Sequence, residues 1–99
     1  MGGLSPYRLT YSQVCRSLIK KLHSKIKPAL KNEIERLSAT PFLGKPLIEE
    51  FEGFHSLPYR RYRIIYRVNN QEKVVEIHFV GHRKDFYEDF RKLLKGGFK

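Results

Sequence analysis

The run Arg60-Arg61-Tyr62-Arg63-Ile64-Ile65-Tyr66-Arg67-Val68 constrains the fold more than any other stretch, because strand geometry sorts it into two chemically distinct sides. Side chains alternate across a strand, so Tyr62, Ile64, Tyr66 and Val68 point one way, while Arg61, Arg63 and Arg67 share the other with Ile65. No acid interrupts the set. A second apolar run, Val74 to Gly81, follows the polar break Asn69-Asn70-Gln71-Glu72, which has the length of a hairpin connection. A two- or four-residue loop centred on that break sets Arg63 opposite His78 and Ile65 opposite Glu76. The expected hairpin then carries one continuous polar side: Arg61, Arg63, Arg67, Glu76 and His78, with His82 at its exit.

The flanking segments supply helices to cover the apolar side. After a disordered lead over residues 1–6, Tyr7 to Tyr11 alternates as a strand. Ser12 caps a helix on which Val14, Cys15, Leu18, Ile19 and Leu22 form one apolar stripe, with Arg16, Lys20 and Lys21 outside. His23-Ser24-Lys25 breaks it. A second helix carries Pro28 in its first turn and Ile26, Leu30, Ile34 and Leu37 as its stripe, and ends at Thr40-Pro41, since a residue before proline is pushed from helical angles. Residues 41 to 53, with Pro41, Gly44, Pro46 and Gly53, read as a loop holding the acidic cluster Glu49, Glu50 and Glu52. Phe54 to Leu57 reads as a short strand turning at Pro58-Tyr59. From Lys84 a helix returns, with Phe86, Phe90, Leu93 and Leu94 as its stripe, acids early and bases late as the helix dipole favours, and Gly96-Gly97 stopping it before a tail over residues 96–99. The fold class is α+β: a single small domain over residues 7–95 with an N-terminal strand, an antiparallel two-helix hairpin, a three-stranded antiparallel meander and a C-terminal helix. Its sheet is expected to pack the apolar face on the helical hairpin and leave the arginine face open.

Composition narrows the function classes. Twenty Lys and Arg against ten Asp and Glu give a formal charge of +10 on 99 residues, a field that attracts nucleic acid or an anionic surface. The single cysteine, Cys15, excludes an internal disulfide framework and a cysteine-based zinc site. His78 and His82 could approach one another, but no carboxylate or cysteine partner has metal-ligand spacing, so no metal and no cofactor is expected. No apolar run approaches the roughly 20 residues that span a bilayer, and the first residues lack a signal-peptide core, so the expected location is the cytoplasm, away from membranes.

Three guanidiniums on one wall, followed closely by Gly81-His82-Arg83-Lys84-Asp85-Phe86-Tyr87, form a candidate polyanion site with proton-transfer groups at its edge. Cutting an RNA backbone without a metal requires cations on the scissile phosphate, a base for the 2'-hydroxyl and an acid for the leaving oxygen. Arginine suits the first task, being always charged and bidentate toward phosphate oxygens, and Arg63 and Arg83 are the candidates. Arg61 and Arg67 flank them. Tyr87 lies four residues after Arg83, one helical turn on, and neighbouring cations would lower a phenol pKa from its ordinary value of about 10. Plainer roles stand beside these: strand arginines are ordinarily a solvated face, Tyr62 and Tyr66 are most simply core, and His55 and His78 are structural before they are catalytic.

With these residues in view, the chain resembles the RelE/ParE toxin superfamily, and within it the RelE-type messenger-RNA interferases, over nearly all of residues 7 to 94. The carriers are Leu37-Ser38-Ala39-Thr40-Pro41, Gly44-Lys45-Pro46-Leu47 with Gly53, Arg61 to Val68, and Val80-Gly81-His82-Arg83 followed by Tyr87. The resemblance implies the toxin of a toxin-antitoxin pair, a ribosome-dependent endoribonuclease that cleaves messenger RNA in the A site through 2'-hydroxyl attack and so inhibits translation. It implies as partners the ribosome, its message and a small acidic RelB-type antitoxin, with a toxin-antitoxin heterotetramer as the assembly. Carried over by motif, Arg63 and Arg83 bind and stabilise the phosphate, Tyr87 contributes base or stacking chemistry, and His82 joins the catalytic group. Arg60, Arg61, Arg67, His55, His78 and Lys84 are the RNA-binding candidates. The best-known RelE toxins carry a lysine pair where this chain has Phe54-His55-Ser56-Leu57, so His55, Arg60 or His82 could substitute for it. ParE toxins share the fold, poison gyrase and generally lack the arginine-plus-tyrosine set; a gyrase poison and a catalytically inactive antitoxin- or RNA-binding member remain the alternatives.

Overall fold

The central hairpin forms as its periodicity requires, but in a different register. In the computed structural model, which describes residues 6–95, β4 (Tyr62–Asn69) and β5 (Val74–His82) run antiparallel. Asn69 pairs with Val74, so the connection is residues 70–73; Lys73 closes it with φ 57°, and the Asn69 side-chain oxygen accepts from the Glu72 N–H at 3.0 Å. Arg63 therefore faces Gly81 rather than His78, and Ile65 faces Phe79 rather than Glu76, which stands opposite Arg67. His78 has no partner across the ladder, because Tyr66 pairs with Ile77 while Ile65 pairs with Phe79. It is the extra residue of a β-bulge, which reverses the alternation of β5. Val75, Ile77 and Val80 share one side, and Phe79 joins the other.

The start of the first helix holds the bulge. β1 (Arg8–Tyr11) runs parallel to β5 along Val74–Ile77. Directly after it, the Ser12 N–H donates to the Ile77 carbonyl at 3.0 Å and the Ser12 hydroxyl donates to the His78 carbonyl at 3.1 Å. The same hydroxyl accepts from the Cys15 N–H at 3.0 Å, capping α1 (Gln13–Lys20) as its sequence position predicts. α2 (Lys27–Ala39) has Pro28 in its first turn and stops before Pro41.

β3 (His55–Tyr59) pairs antiparallel with β4, and a two-residue β2 (Lys45–Pro46), within the stretch expected to be loop, edges the sheet. The strand order is β1-β5-β4-β3-β2. Pro58 and Tyr59 belong to β3, so the turn into β4 falls on Arg60 and Arg61 instead, with Arg60 at φ 55°. Pro58 is tolerated because β2 is too short to reach it, leaving that side of β3 without a ladder partner.

The arginine side of the sheet is not open. On the opposite side Leu30, Ile34 and Leu37 of α2 and Cys15 of α1 seal a core with Ile64, Tyr66, Val75 and Ile77. On the arginine side Ile65 and Phe79 meet Phe86 and Phe90 of α3 (Phe86–Leu94), joined by Phe51 and Phe54, in a second core. Ile65 is fully buried beneath that helix. α3 uses Leu93 in this contact, while Leu94, expected in the stripe, is 45% exposed. The 3-10 turn Glu49–Phe51 brings Phe51 under α3, and Glu50 pairs with Arg91 across the join. The lead at residues 1–5, the Gly96-Gly97 stop and the tail lie outside the described residues.

Candidate functional site

The second core divides the arginines of β4. Arg63 and Arg67 each lie on an aromatic ring at its margin, with guanidinium carbons 5.4 Å from the Phe86 centroid and 5.2 Å from that of Phe54. Arg63 is half buried, and its Nη1 donates to the hydroxyl of the buried Ser56 at 3.3 Å. Its Nε is buried without a hydrogen-bond partner. Among the described residues no carboxylate pairs with Arg63 or Arg83. The part of the Arg63 side chain that stays accessible, with no carboxylate paired to it, is free to hold an anionic oxygen.

Arg83 prolongs the hairpin beyond His82: its N–H donates to the Arg61 carbonyl at 2.7 Å, setting it two residues along the ladder past the Arg63–Gly81 pair. Gly81 must stay small, since a Cβ there would lie 2.5 Å from the Phe79 ring. Lys84 is exposed in the turn into α3. Tyr87, 49% exposed in the first turn of α3, stacks on Phe51 at 5.6 Å and touches Phe86 at 4.1 Å, so it leans toward the 3-10 turn.

The remaining candidates stand elsewhere. His78 sits edge-on to Phe54 at 5.4 Å and pairs with Glu76 at 3.2 Å, beside Arg67 and away from Arg63. His55 lies on the other face of the sheet, stacked on Tyr66 at 5.3 Å, with its Nδ1 buried and unpartnered; burial lowers its pKa. His82 also occupies that other face, its ring 5.0 Å from Tyr62, in a hollow of about 590 Å³ that Lys25, Tyr59, Arg60 and Arg61 also line. The expected continuous site is thus divided: Arg63 on Phe86 with Arg83 along the same strand end, Tyr87 beside Phe51 and Arg91, Arg67 with His78, and Arg60, Arg61 and His82 behind the hairpin end. Sequence alternation could not foresee the part of Ser56, because its partnership with Arg63 depends on which residues β3 sets beside β4.

Among the described residues no three His, Cys, Asp or Glu side chains converge as a metal site, and no helix is long and apolar enough to cross a membrane. The ParE toxin family of type II toxin-antitoxin systems (parDE) matches residues 10–87, a span that takes in the sheet from the second half of β1 onward, all of α1 and α2, and the start of α3. The chain belongs to this family, within the RelE/ParE superfamily. Among its relatives, Toxin RelG of Mycobacterium tuberculosis is 33% identical over 84 residues, covering 83% of this chain and 97% of that protein. The RelBE2 toxin-antitoxin complex from the same organism contains a chain 32% identical with a TM-score of 0.74, the match covering 79% of this toxin and 99% of that chain. The isolated Escherichia coli RelE toxin shares the fold at 22% identity and a TM-score of 0.67, over 89% of this chain and 98% of its own. The toxin therefore has the α+β architecture of the RelE-type members, with five strands and three helices among the described residues.

Proposed function

We propose that this toxin cleaves messenger RNA on the ribosome without a metal ion, and that a small acidic RelB-type antitoxin silences it, as part of a toxin-antitoxin heterotetramer in the cytoplasm. The observation that carries the reading is Arg63, a half-buried guanidinium steadied by Ser56 and Phe86 with no carboxylate paired to it among the described residues. In this reaction the 2'-oxygen attacks the adjacent phosphorus and the bond to the 5'-oxygen breaks. The hydroxyl proton passes to a base, and the leaving oxygen takes a proton from an acid. Arg63 and Arg83 hold the phosphate oxygens as charge builds on them. Tyr87 serves as base or stacks on a base of the message. His82 faces away from Arg63, so it is assigned to RNA contact rather than to proton transfer. An antitoxin partner accords with the RelBE2 relative, solved as a toxin-antitoxin complex.

The test is cleavage on purified ribosomes, read at the new RNA ends. A 2',3'-cyclic phosphate or its 3'-phosphate product is expected, in reactions that survive chelation while the ribosome stays intact; 3'-hydroxyl ends would overturn the mechanism. Arg63→Ala and Arg83→Ala should each lower the rate by roughly 10²- to 10³-fold. Tyr87→Phe keeps the ring and isolates the hydroxyl. If the Arg83 and Tyr87 variants melt normally and cleave at the parent rate, the chemistry lies elsewhere. A second reading, gyrase poisoning, is favoured by the ParE family match, and it predicts intact message with broken DNA after induction.

A further inference from the structure

We infer that the hollow behind the hairpin end is a second RNA subsite, holding a nucleotide of the same single strand whose scissile phosphate lies at Arg63; the inference rests on the ribonuclease reading of that site. Lys25, from the approach to α2, faces Tyr59, Arg60, Arg61 and Tyr62 across the hollow, and His82 closes it at the end of β5. Among the described residues no carboxylate lines it. Three permanent cations gathered in a concavity repel one another unless an anion lies between them, and a phosphate is the anion the proposed substrate brings.

The aromatic groups give the hollow a preference among polyanions. Tyr62 shares its strand face with Ile64 and Tyr66, which are fully buried, yet it remains partly exposed with its ring against that of the exposed His82 at 42°. Tyr59 carries the Arg60 guanidinium 5.6 Å above its ring centre. Such surfaces stack on unpaired bases, which a duplex does not offer. Arg60 occupies the turn between β3 and β4. It holds a left-handed backbone at φ 55°, a conformation disfavoured for a residue with a Cβ, and glycine would serve that two-residue turn with less strain. Glu49 and Lys73 hold the same conformation in turns of their own, and the strain makes glycine a low-cost replacement at Arg60.

The two sites are joined by covalent adjacency. Tyr62 precedes Arg63 in β4 and His82 precedes Arg83, so the hollow and the phosphate seat are opposite faces of the same two strand ends. A strand held at Arg63 has only to pass the end of the hairpin to enter the hollow.

The experiment measures fluorescence anisotropy of labelled oligouridylate with the purified toxin across a salt series. Arg60→Gly removes a cation while easing the backbone, so its melting temperature should hold or rise; Lys25→Ala removes another. Each should weaken binding about three- to tenfold and reduce the slope of log K against log salt by about 0.7, the value for one contact on a single strand. Tyr62→Leu should weaken binding roughly tenfold with the slope unchanged, because stacking releases no counterions. Parent affinity and slope in all three variants, with Arg63→Ala still impaired, would overturn the subsite. Equal losses on duplex and single strand would overturn its preference for unpaired bases. Cleavage plays no part in this readout, so failure of the ribonuclease reading would show separately, as uncleaved message on ribosomes.

Discussion

At Gly44 the chain passes so close to β3 that a Cβ would lie 2.7 Å from the Ser56 carbonyl oxygen and 2.8 Å from the Tyr66 hydroxyl. The Gly44 N–H donates to that hydroxyl at 2.8 Å, so one buried phenol receives the loop that leads into β2. Burial raises the Tyr66 pKa, and the Gly44 hydrogen bond partly offsets it. Tyr66→Phe should cost about 1–3 kcal/mol by stranding the N–H, and Gly44→Ala a similar amount by overpacking against backbone. The two losses should fall well short of additive in a double-mutant cycle read by denaturant unfolding, since both act on one contact. His55, stacked on the other side of Tyr66, gives a pH signature. Burial depresses its pKa below the ordinary 6.5, so the unfolded chain binds a proton more readily than the native one. Stability should therefore fall as pH drops from about 6.5 through the lowered native value, and His55→Phe should flatten that part of the profile. At this scale alternation and motif single out Arg63 and Arg83, and the structure sets Arg83 two residues along the ladder beyond the residue opposite Arg63. Their separation from His82 was not legible, because which face a residue takes at the strand end follows from register.

Ser12 links two elements through one hydroxyl, accepting at the α1 cap and donating to the bulge carbonyl of His78. Ser12→Ala loses both bonds and should lower stability by roughly 1–2 kcal/mol, with Ser12→Thr close to the parent, as read from the denaturant midpoint at constant slope. The cap itself was plain in the sequence, since a serine ahead of an apolar stripe has one obvious role. Its second bond was not, because the bulge leaves no mark in residue type: Val74 to Gly81 reads as an ordinary apolar strand. The paired strand β2 was likewise hidden, two residues being too few for periodicity to register.

For the whole molecule, the second core decides both stability and access to Arg63. Phe90 is 1% exposed and touches the rings of Phe51, Phe54 and Phe79. Phe90→Ala should cost about 3–5 kcal/mol and lower the melting temperature by more than about 10 °C, undocking α3 from the sheet. The sequence by itself determined the three helices, the strands other than β2, the cap of α1, the proline bounds of α2 and the excess of positive charge, because each is set by neighbours a few residues apart. Only tertiary structure decided that the arginine side would be covered. The bulge at His78 turns Phe79 toward Ile65, and those two residues with Phe54 give α3 an apolar floor on a face that alternation alone marks as polar. One residue without a ladder partner thus splits the arginine row, because side-chain direction along a strand has period two and a single extra residue reverses everything beyond it.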